Sequence, residues 1–401
     1  MKYTINISIE PKNKYLKASV KISSLPNKKN LNFWLNKSFS ITSFASSNNV
    51  TFTFDKMGES APYTDNSSFP ICIHNTDEWI MLEYEGKIEN IISKVNMIND
   101  DLVELGLYSC WYPYLPNTPF EYECFVTLPS EYIFISEGTI TKTCDNKTNQ
   151  FHVTSDNEMY DILIIASPQF TNTLIEYENK KISLYHTKSF NLGNRVQNLK
   201  NAYETTLSLL GKPEFSKDIV YIYSPREGWG YMRDIIVVSE KTVNEHDEIH
   251  ELIHTWWRIA INNGNDWINE GLAEYFTFFT QKNIDSSIIK DTINDFIKHI
   301  GDTQKAVSII ETQPTSPDRY VNLYEKTTIL FYGAEIKFGE NKLMEALREF
   351  YNTFKISTNA TTEGFLNIIN EIMGADSYNY FKYYLNLNDW TNIDIQKEIL
   401  K

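Results

Sequence analysis

The sequence predicts an α+β protein in which an antiparallel β domain, residues 1–190, precedes a mixed α/β domain, residues 191–401. Three observations lead to this prediction. Apolar and polar residues alternate with period two in the first half, the period becomes helical near residue 190, and the chain is mostly helical in pattern after residue 244. In addition, 401 residues are too many for one compact core.

Short alternating segments predict the strands of a large antiparallel sheet or sandwich in the first half. Gly, Pro, Asn and Asp, which favour turns, separate these segments. The clearest segments are YTINISIE, YLKASVKIS, NVTFTFD, EWIMLEYEG, YECFVTLP and FHVTSD. No long helical pattern interrupts them, so the first half is predicted to be a β domain.

The second half begins with a helical pattern, RVQNLKNAYETTLSLL, which is expected to end at Gly211 because Pro213 follows. Two strands are predicted next, KDIVYIYS and RDIIVVSE. Apolar residues then recur at helical spacing. The later helical segments are DSSIIKDTINDFIKHI, YEKTTILFYGAEIKFG, KLMEALREFYNTF, TEGFLNIINEIMG and SYNYFKYYLN.

Composition excludes several classes of partner. The net charge of -15 argues against nucleic acid and anionic membranes, because both attract basic surfaces. No apolar stretch is long enough to span a bilayer, and the N-terminus lacks the apolar run of a signal peptide, so a cytoplasmic protein is expected. Its cysteines form no C-x-x-C pair and are expected to be free thiols: Cys72, Cys110, Cys124 and Cys144.

The segment HELIH, residues 250–254, has the H-E-x-x-H pattern of zinc hydrolases. On a helix, His250 and His254 lie on one face and can bind one metal ion. Glu251 points about 100° away around the helix, so it flanks the ion without binding it. Zinc lowers the pKa of a bound water molecule to about 7, so a carboxylate here can remove its proton near neutral pH.

A catalytic zinc site needs a third protein ligand, for which Glu270 is the candidate. A helix tail over residues 255–261, the turn NNGN and a second helix, GLAEYFTFFTQK, form a hairpin that returns Glu270 to the histidines. Glu274, one turn later, either orients a ligating histidine or is exposed. His246 is a less favoured candidate ligand, since no Glu follows it.

The segments HELIHTWW and DWINEGLAEYF together resemble the aminopeptidase N family of zinc peptidases. In that family eighteen residues separate H-E-x-x-H from the glutamate of W-x-N-E-G, whereas fifteen do so here. The resemblance implies a β saddle domain, a thermolysin-like catalytic domain and one zinc ion per chain. It also indicates a short bacterial form without the family's C-terminal helical domain.

The resemblance assigns substrate binding to Gly230, Tyr231, Met232 and Arg233, which precede the zinc helix. The family has Gly-Ala-Met-Glu-Asn here, and its Glu binds the substrate's amino terminus. Arg233 replaces that Glu and cannot bind an ammonium group. Asp234 or Glu227 is a possible substitute, so the mode of amine recognition stays open.

The segment Tyr324-Glu325-Lys326 resembles the family's Tyr-Glu-Lys-Gly, whose Tyr donates a hydrogen bond to the oxyanion. Tyr324 is therefore the second catalytic candidate beside Glu251, and Tyr320 is its rival. The family's Gly is Thr327 here. In the family, the region that corresponds to WYPYLP, residues 111–116, faces the cleft; packing between strands is the alternative here.

Together these features predict a zinc-dependent peptidase with a peptide substrate, of aminopeptidase type but with non-standard amine recognition. An endopeptidase or an amidase that tailors one dedicated peptide is the alternative that Arg233 suggests. A non-catalytic peptide-binding relative is a further alternative, which the intact set of ligands, base and tyrosine disfavours. The sequence does not indicate an oligomeric state.

Overall fold

The computed structural model describes residues 1–28, 30–47, 51–54, 58–61, 64–74, 78–144, 148–177, 180–214, 218–227, 230–232, 235–260, 265–303, 307–313, 315–390 and 395–400. At residues 144, 177, 180 and 230–232 only the backbone is described. Strands dominate the first half and helices the second, which confirms the predicted α+β class.

The six strands predicted in the first half and the two predicted after residue 190 are all present, and the structure adds others between them. The strands are β1 (Lys2–Glu10), β2 (Tyr15–Ser23), β3 (Asn30–Asn36), β4 (Phe39–Ser46), β5 (Thr51–Phe54), β6 (Ser68–His74), β7 (Trp79–Lys87), β8 (Met97–Ile98), β9 (Val103–Leu105), β10 (Glu121–Pro129), β11 (Ile133–Ile135), β12 (Thr139–Cys144), β13 (Thr148–Thr154), β14 (Ile164–Ser167), β15 (Phe170–Tyr177), β16 (Lys180–Thr187), β17 (Ile219–Ser224), β18 (Gly230–Met232) and β19 (Ile235–Ser239).

A seven-stranded sheet in the order β12-β13-β10-β1-β2-β7-β4 forms the body of the first half. Alternate residues of β1 are buried, so one face of the sheet packs against a core and the other faces solvent. The pairing is antiparallel except between β1 and β10, which run parallel. Sequence alternation predicts a half-buried strand but does not reveal which neighbour it pairs with.

Two smaller sheets complete the first half, with the orders β3-β6-β5 and β11-β14-β9-β8. The WYPYLP loop pairs with β3, because Tyr114 and Trp34 exchange two backbone hydrogen bonds of 2.8 Å. Trp111 and Tyr112 are fully buried, and the indole of Trp111 donates a hydrogen bond to the carbonyl of Ile162. Packing between strands, one of the two interpretations of this loop, is therefore what the structure shows for these two side chains.

A five-stranded sheet in the order β15-β16-β17-β19-β18 connects the two halves of the chain. Strand β16 pairs in parallel with β17, although the two lie on either side of the predicted boundary at residue 190. If sheet membership defines the domains, the boundary lies before Phe170. We propose this earlier position, because the change to helical period marks the first helix and not the first strand of the second domain.

Helices cover most of the chain after residue 244, as predicted. No helix in the described ranges is both long and apolar enough to cross a membrane. The α-helices are α1 (Arg195–Leu210), α2 (Glu245–Ile253), α3 (Leu272–Ile284), α4 (Ile288–Asp302), α5 (Thr327–Phe338), α6 (Glu340–Phe354), α7 (Thr362–Met373), α8 (Ala375–Asn386) and α9 (Ile395–Glu398).

The predicted helix tail after His254 is wrong for residues 255–260, which form turns and irregular backbone. Helix α2 ends at Ile253, and the next residues bury two indoles, Trp256 and Trp257. The indole N–H of Trp256 donates to the carbonyl of Gly211 at 2.8 Å. Continuing the helix would carry these side chains away from their core positions, so tertiary packing overrides the local helical pattern.

A buried ion pair joins the first half of the chain to the segment that leads to β18. The Nε atom of Arg226 is 2.8 Å from both carboxylate oxygens of Glu104, and both residues are about 3% exposed. Ser224 donates a further hydrogen bond to Glu104 at 3.3 Å. Since Arg226 lies shortly before β18, this pair fixes the position of the segment relative to the β domain.

Replacing Arg226 with Met is expected to lower the free energy of unfolding by about 3–5 kcal/mol, because Glu104 is left buried without a cation. Replacing both residues with Met should recover most of this loss, because no buried charge remains. Urea unfolding midpoints of the three proteins measure the effect. Equal destabilisation by the single and double changes would contradict the explanation.

Candidate active site

Helix α2 presents two histidines on one face. The helix begins after Asn244, whose side-chain oxygen accepts a hydrogen bond from the backbone N–H of Asp247 at 2.9 Å. This cap satisfies one of the free donors of the first turn. His250 and His254 are 7% and 8% exposed, and their ring centroids are 4.7 Å apart. The two imidazoles are therefore adjacent and almost removed from solvent.

The chain returns to these histidines through a π-helical turn, Trp267–Gly271, which leads into α3. Asn269 Oδ1 in this turn accepts a hydrogen bond at 3.1 Å from the backbone N–H of Ala260, in the segment after α2. Trp267 is buried and its indole donates to Thr362 at 2.9 Å. These contacts hold the turn so that Glu270 faces the histidine pair.

The three candidate ligand atoms converge on one point. Nε2 of His250 and Nε2 of His254 each lie 3.4 Å from Oε2 of Glu270. Two atoms that bind tetrahedral zinc at about 2.1 Å lie about 3.4 Å apart, so these separations fit zinc. Among the His, Cys, Asp and Glu side chains of the described ranges, these three form the group whose ligand atoms lie close enough together to hold a metal ion.

Hydrogen bonds at the other ring nitrogens orient both imidazoles. Nδ1 of His250 is 2.8 Å from Oε2 of Glu274, and Nδ1 of His254 is 3.2 Å from the carbonyl of Trp257. A carboxylate and a carbonyl only accept, so Nδ1 carries the hydrogen in both rings. This leaves both Nε2 lone pairs available at the point of convergence. Glu274 was predicted either to orient a ligating histidine or to be exposed. Its side chain is buried and contacts His250, so the first interpretation fits the structure.

Both carboxylates are ionised, as a cation site requires. Burial alone would raise the pKa of Glu270, but His254 and His250 hold that pKa well below its usual value. In the same way, His246 and His250 outweigh burial and lower the pKa of Glu274 to about 2. Burial lowers the pKa of His250, but hydrogen bonds from its ring to Glu270 and Glu274 raise it to about 10. The two carboxylates thus favour a positive charge at this ring, which is a proton on Nε2 when no metal is bound, so metal binding releases that proton and frees the Nε2 lone pair.

His246 does not join His250 and His254 as a third histidine of the candidate metal site. Its Nε2 atom is 2.7 Å from Oε1 of Glu274, and its Nδ1 atom is 3.1 Å from Oε1 of Gln281. Glu274 therefore connects His246 to His250. The alternative of a metal site with ligands at three successive helical turns does not fit this arrangement, because both nitrogens of His246 face other partners.

Tyr324 lies directly beside this point, on a second π-helical turn, Val321–Lys326. Its hydroxyl donates a hydrogen bond to Oε2 of Glu270 at 2.6 Å, and its ring stacks on His250 with centroids 5.3 Å apart. Its rival Tyr320 stacks on the far side of Tyr324 and is 56% exposed. Of the two phenols, only that of Tyr324 contacts the candidate metal site.

The two π-helical turns pack against each other at Gly271. A Cβ atom at Gly271 would lie 2.5 Å from Cγ2 of Thr327 and 2.8 Å from the carbonyl oxygen of Leu323. Only a glycine permits this approach, which brings Glu270 and Tyr324 within hydrogen-bonding distance. Thr327, which stands in place of the family's glycine, fills the space opposite Gly271.

Replacing Gly271 with Ala is expected to separate the two π-helical turns and to weaken metal binding at least tenfold, because Glu270 moves with its turn. Zinc titration against a competing chelator measures the effect. Gly301→Ala is the matched control, since nothing lies within 4 Å of a Cβ atom at this helical position. That change should leave zinc affinity unaltered and stabilise the fold by roughly 0.5–1 kcal/mol. Equal zinc affinities for both variants would contradict the proposed packing role.

Glu251 follows His250 on α2, and its side chain is half-buried. Among the residues that the structure describes, it has no hydrogen-bond partner, in contrast to Glu270 and Glu274. Glu251 is therefore adjacent in sequence to a candidate ligand and is not engaged by a described partner. The role of Glu251 as the catalytic base stays a prediction.

The predicted substrate segment forms the edge of the five-stranded sheet. Strand β18 pairs antiparallel with β19, with Gly230 opposite Val237 and Met232 opposite Ile235. An edge strand offers backbone groups to an extended peptide. The side chains of Tyr231 and Met232 are not described.

Arg233 and Asp234 lie outside the described residues. Glu227, the other candidate for amine binding, is exposed. The structure therefore shows an edge strand in the predicted place and leaves the amine-binding residue as a prediction.

Sequence reasoning missed the supporting residues Asn269 and Arg319. Asn269 could have been found from the sequence, because it lies in the motif W-x-N-E-G. Its hydrogen bond to Ala260, however, depends on how the hairpin folds back. No motif in the sequence pointed to Arg319. Its Nη2 atom lies 3.3 Å from Oδ2 of Asp266 and 3.7 Å from Oε1 of Glu270.

Comparison with solved structures shows which known proteins share this fold. No protein-family model and no curated protein matches the sequence. The crystal structure of the M1 zinc metallopeptidase from Deinococcus radiodurans, however, is similar over 97% of this chain and 93% of its own, with a TM-score of 0.69 and 13% identity. The chain thus has the same fold as this M1 zinc metallopeptidase.

Two further structures show the same likeness. A point mutant of the Deinococcus radiodurans enzyme, bound to a Tyr-Ser-Ala substrate, has a TM-score of 0.67 at 12% identity, covering 96% of this chain and 93% of its own. Legionella pneumophila aminopeptidase A in complex with aspartic acid also has a TM-score of 0.67 at 12% identity. It is matched over 97% of this chain but 49% of its own. At these identities the comparisons establish the fold alone.

Proposed function

We propose that the chain is a zinc-dependent peptidase whose metal ligands are His250, His254 and Glu270. The observation that supports this most strongly is the convergence of two Nε2 atoms on one carboxylate oxygen at 3.4 Å each. A structural zinc site uses four protein ligands, whereas three leave a position open for water or substrate. The set of two histidines and one carboxylate suits zinc well.

When bound, one zinc ion per chain would polarise the scissile carbonyl and make a water molecule more acidic. The residues of the chain do the remaining work. Glu251 accepts a proton from the attacking water and transfers it to the departing amine. Its position next to His250 on α2, together with its half-buried side chain, supports this role.

Tyr324 supplies a hydrogen-bond donor for the negative charge that develops on the carbonyl oxygen. Its hydroxyl now donates to Oε2 of Glu270 at 2.6 Å, which is the oxygen at the centre of the candidate site. The ring is held by His250 on one side and Tyr320 on the other. The donor is therefore fixed in place before substrate arrives, which is the condition for strong stabilisation of an oxyanion.

The substrate backbone is proposed to pair with the edge strand β18, where Gly230 and Tyr231 contribute backbone groups. Met232 and Arg233 are the neighbouring candidates for substrate contact. The neighbour from Deinococcus radiodurans that binds a Tyr-Ser-Ala substrate supports a peptide ligand for this fold. Two further structures of that fold hold L-tryptophan and L-arginine.

Cleavage from the amino terminus is the first form of this proposal, and cleavage of an internal or amino-blocked bond is the second. The second is favoured by Arg233, a cation where the resembled family has the glutamate that binds the substrate's amine. Glu227 is exposed and is the described carboxylate closest in sequence to β18, so it is the candidate for amine recognition in the first form.

A panel of amino-acid amides and short peptides, each with a free and a blocked amino terminus, tests both forms. The purified protein is assayed after metal analysis, with and without a chelator. About one zinc per chain and hydrolysis that a chelator abolishes are expected. A strong preference for free amino termini supports an aminopeptidase, and equal cleavage of blocked peptides supports the second form. A zinc-loaded protein that hydrolyses no peptide would overturn the peptidase proposal.

A further inference from the structure

Arg319 occupies the junction of the two π-helical turns. It lies two residues before Val321–Lys326, and its partner Asp266 directly precedes Trp267–Gly271. The Nη2 atom of Arg319 lies 3.3 Å from Oδ2 of Asp266 and 3.7 Å from Oε1 of Glu270, and the side chain is 28% exposed. One guanidinium group thus contacts both ends of the turn that carries the candidate ligand.

The two oxygens of Glu270 have different surroundings. Oε2 faces the Nε2 atoms of His250 and His254 at 3.4 Å and accepts the hydroxyl of Tyr324 at 2.6 Å. Oε1 faces Arg319. The terminal torsion of a glutamate side chain is broad, so the carboxylate rotates readily unless both oxygens have partners. Arg319 is the cation that distinguishes one oxygen from the other.

We propose that Arg319 is a positioning residue that holds Oε1 of Glu270 and thereby directs Oε2 alone towards the imidazole pair. This inference rests on the proposed function, because it assumes that the convergent residues bind a metal ion. An arginine suits the task, since its guanidinium group keeps its charge and presents several donors in a rigid plane.

Arg319 also has a role when the hydroxyl hydrogen of Tyr324 turns from Glu270 to a substrate oxygen while the ring stays in place. Oε2 of Glu270 then loses the hydroxyl that it accepts in this structure, while Oε1 keeps its contact with Arg319 and Asp266 keeps the guanidinium in place. The carboxylate therefore retains one fixed oxygen throughout the reaction. The guanidinium also hydrogen-bonds the hydroxyl of Tyr324, so Asp266, Glu270 and Tyr324 all face it.

The test compares Arg319→Gln, Arg319→Lys and the remote control Arg348→Gln, which lies on α6 and is exposed. Zinc affinity is measured by competition with a chelator. The visible spectrum of the cobalt-substituted protein reports the arrangement of ligands around the metal. Thermal unfolding of the metal-free proteins shows whether a variant is merely destabilised.

Arg319→Gln is expected to bind zinc roughly 10–100-fold more weakly than the wild type and to change the cobalt spectrum, with an unchanged midpoint for the metal-free protein. Arg319→Lys should recover part of the affinity, because it restores the charge but not the planar fork. Arg348→Gln should match the wild type in zinc affinity and in the cobalt spectrum.

Two results would overturn the inference while the proposed function stands. In one, wild type and Arg319→Gln bind zinc equally and have the same cobalt spectrum. In the other, Arg319→Gln raises only the KM for substrates with a free carboxyl terminus, which makes Arg319 a substrate-binding residue. If the wild-type protein itself fails to bind zinc, the proposed function and this inference are both overturned.

Discussion

Glu251→Gln should keep its zinc and lose its activity. The change removes the proton acceptor but leaves His250, His254 and Glu270 in place, so metal content should stay at about one ion per chain. General acid–base catalysis contributes about 10²–10⁴-fold, so kcat should fall by at least this factor. Steady-state hydrolysis of the best substrate in the peptide panel, together with metal analysis of the same sample, measures both quantities.

Glu345→Gln is a suitable control for this experiment, because Glu345 is an exposed residue of α6, far in sequence from the site. The control should retain full activity. If Glu251→Gln hydrolyses peptides at the wild-type rate, Glu251 is not the base. If it loses zinc as well as activity, the carboxylate supports the metal site and the loss of activity says nothing about proton transfer.

Tyr324→Phe should lower kcat by roughly 10²–10³-fold, which corresponds to about 3–4 kcal/mol of lost stabilisation of the oxyanion. The phenyl ring can still stack between His250 and Tyr320, so the shape of the site and the KM should change little. Kinetic constants of the variant and of Tyr320→Phe, measured side by side, test this expectation.

Tyr320→Phe serves as the matched comparison because Tyr320 is 56% exposed and belongs to the same aromatic stack. Its activity should stay within a few-fold of the wild type. A larger loss for Tyr320→Phe than for Tyr324→Phe would reverse the assignment. A drop in zinc content of Tyr324→Phe would show that the hydroxyl acts through Glu270 and not on the substrate.

The sequence predicted the strands with a clear alternation of apolar and polar residues, such as β1 and β7, because one face of each is buried. It could not predict the parallel pairing of β1 with β10, which depends on residues more than a hundred positions apart. The domain boundary that we propose before Phe170 could not be predicted for a similar reason. Strand β16 joins its sheet through β17, and nothing local to residues 180–187 reveals that partner.

In the candidate site, the motifs predicted which residues come together, since a helix and a returning hairpin determine that. The supporting geometry could not be predicted. Both Glu270 and Tyr324 lie on π-helical turns, which have no distinct sequence pattern and which pack closely here because residue 271 is a glycine. The helix tail after His254 was wrong because buried indoles determine the path of the chain there. The contact of Arg319 with Glu270 depends on the same packing.

The central claim is that His250, His254 and Glu270 bind one zinc ion in an open site. A crystal of the zinc-loaded protein, with diffraction measured on both sides of the zinc absorption edge, tests it most directly. The account predicts a single anomalous peak about 2.0–2.2 Å from Nε2 of each histidine and from a carboxylate oxygen of Glu270. A zinc peak elsewhere, or none between these three side chains, would contradict it.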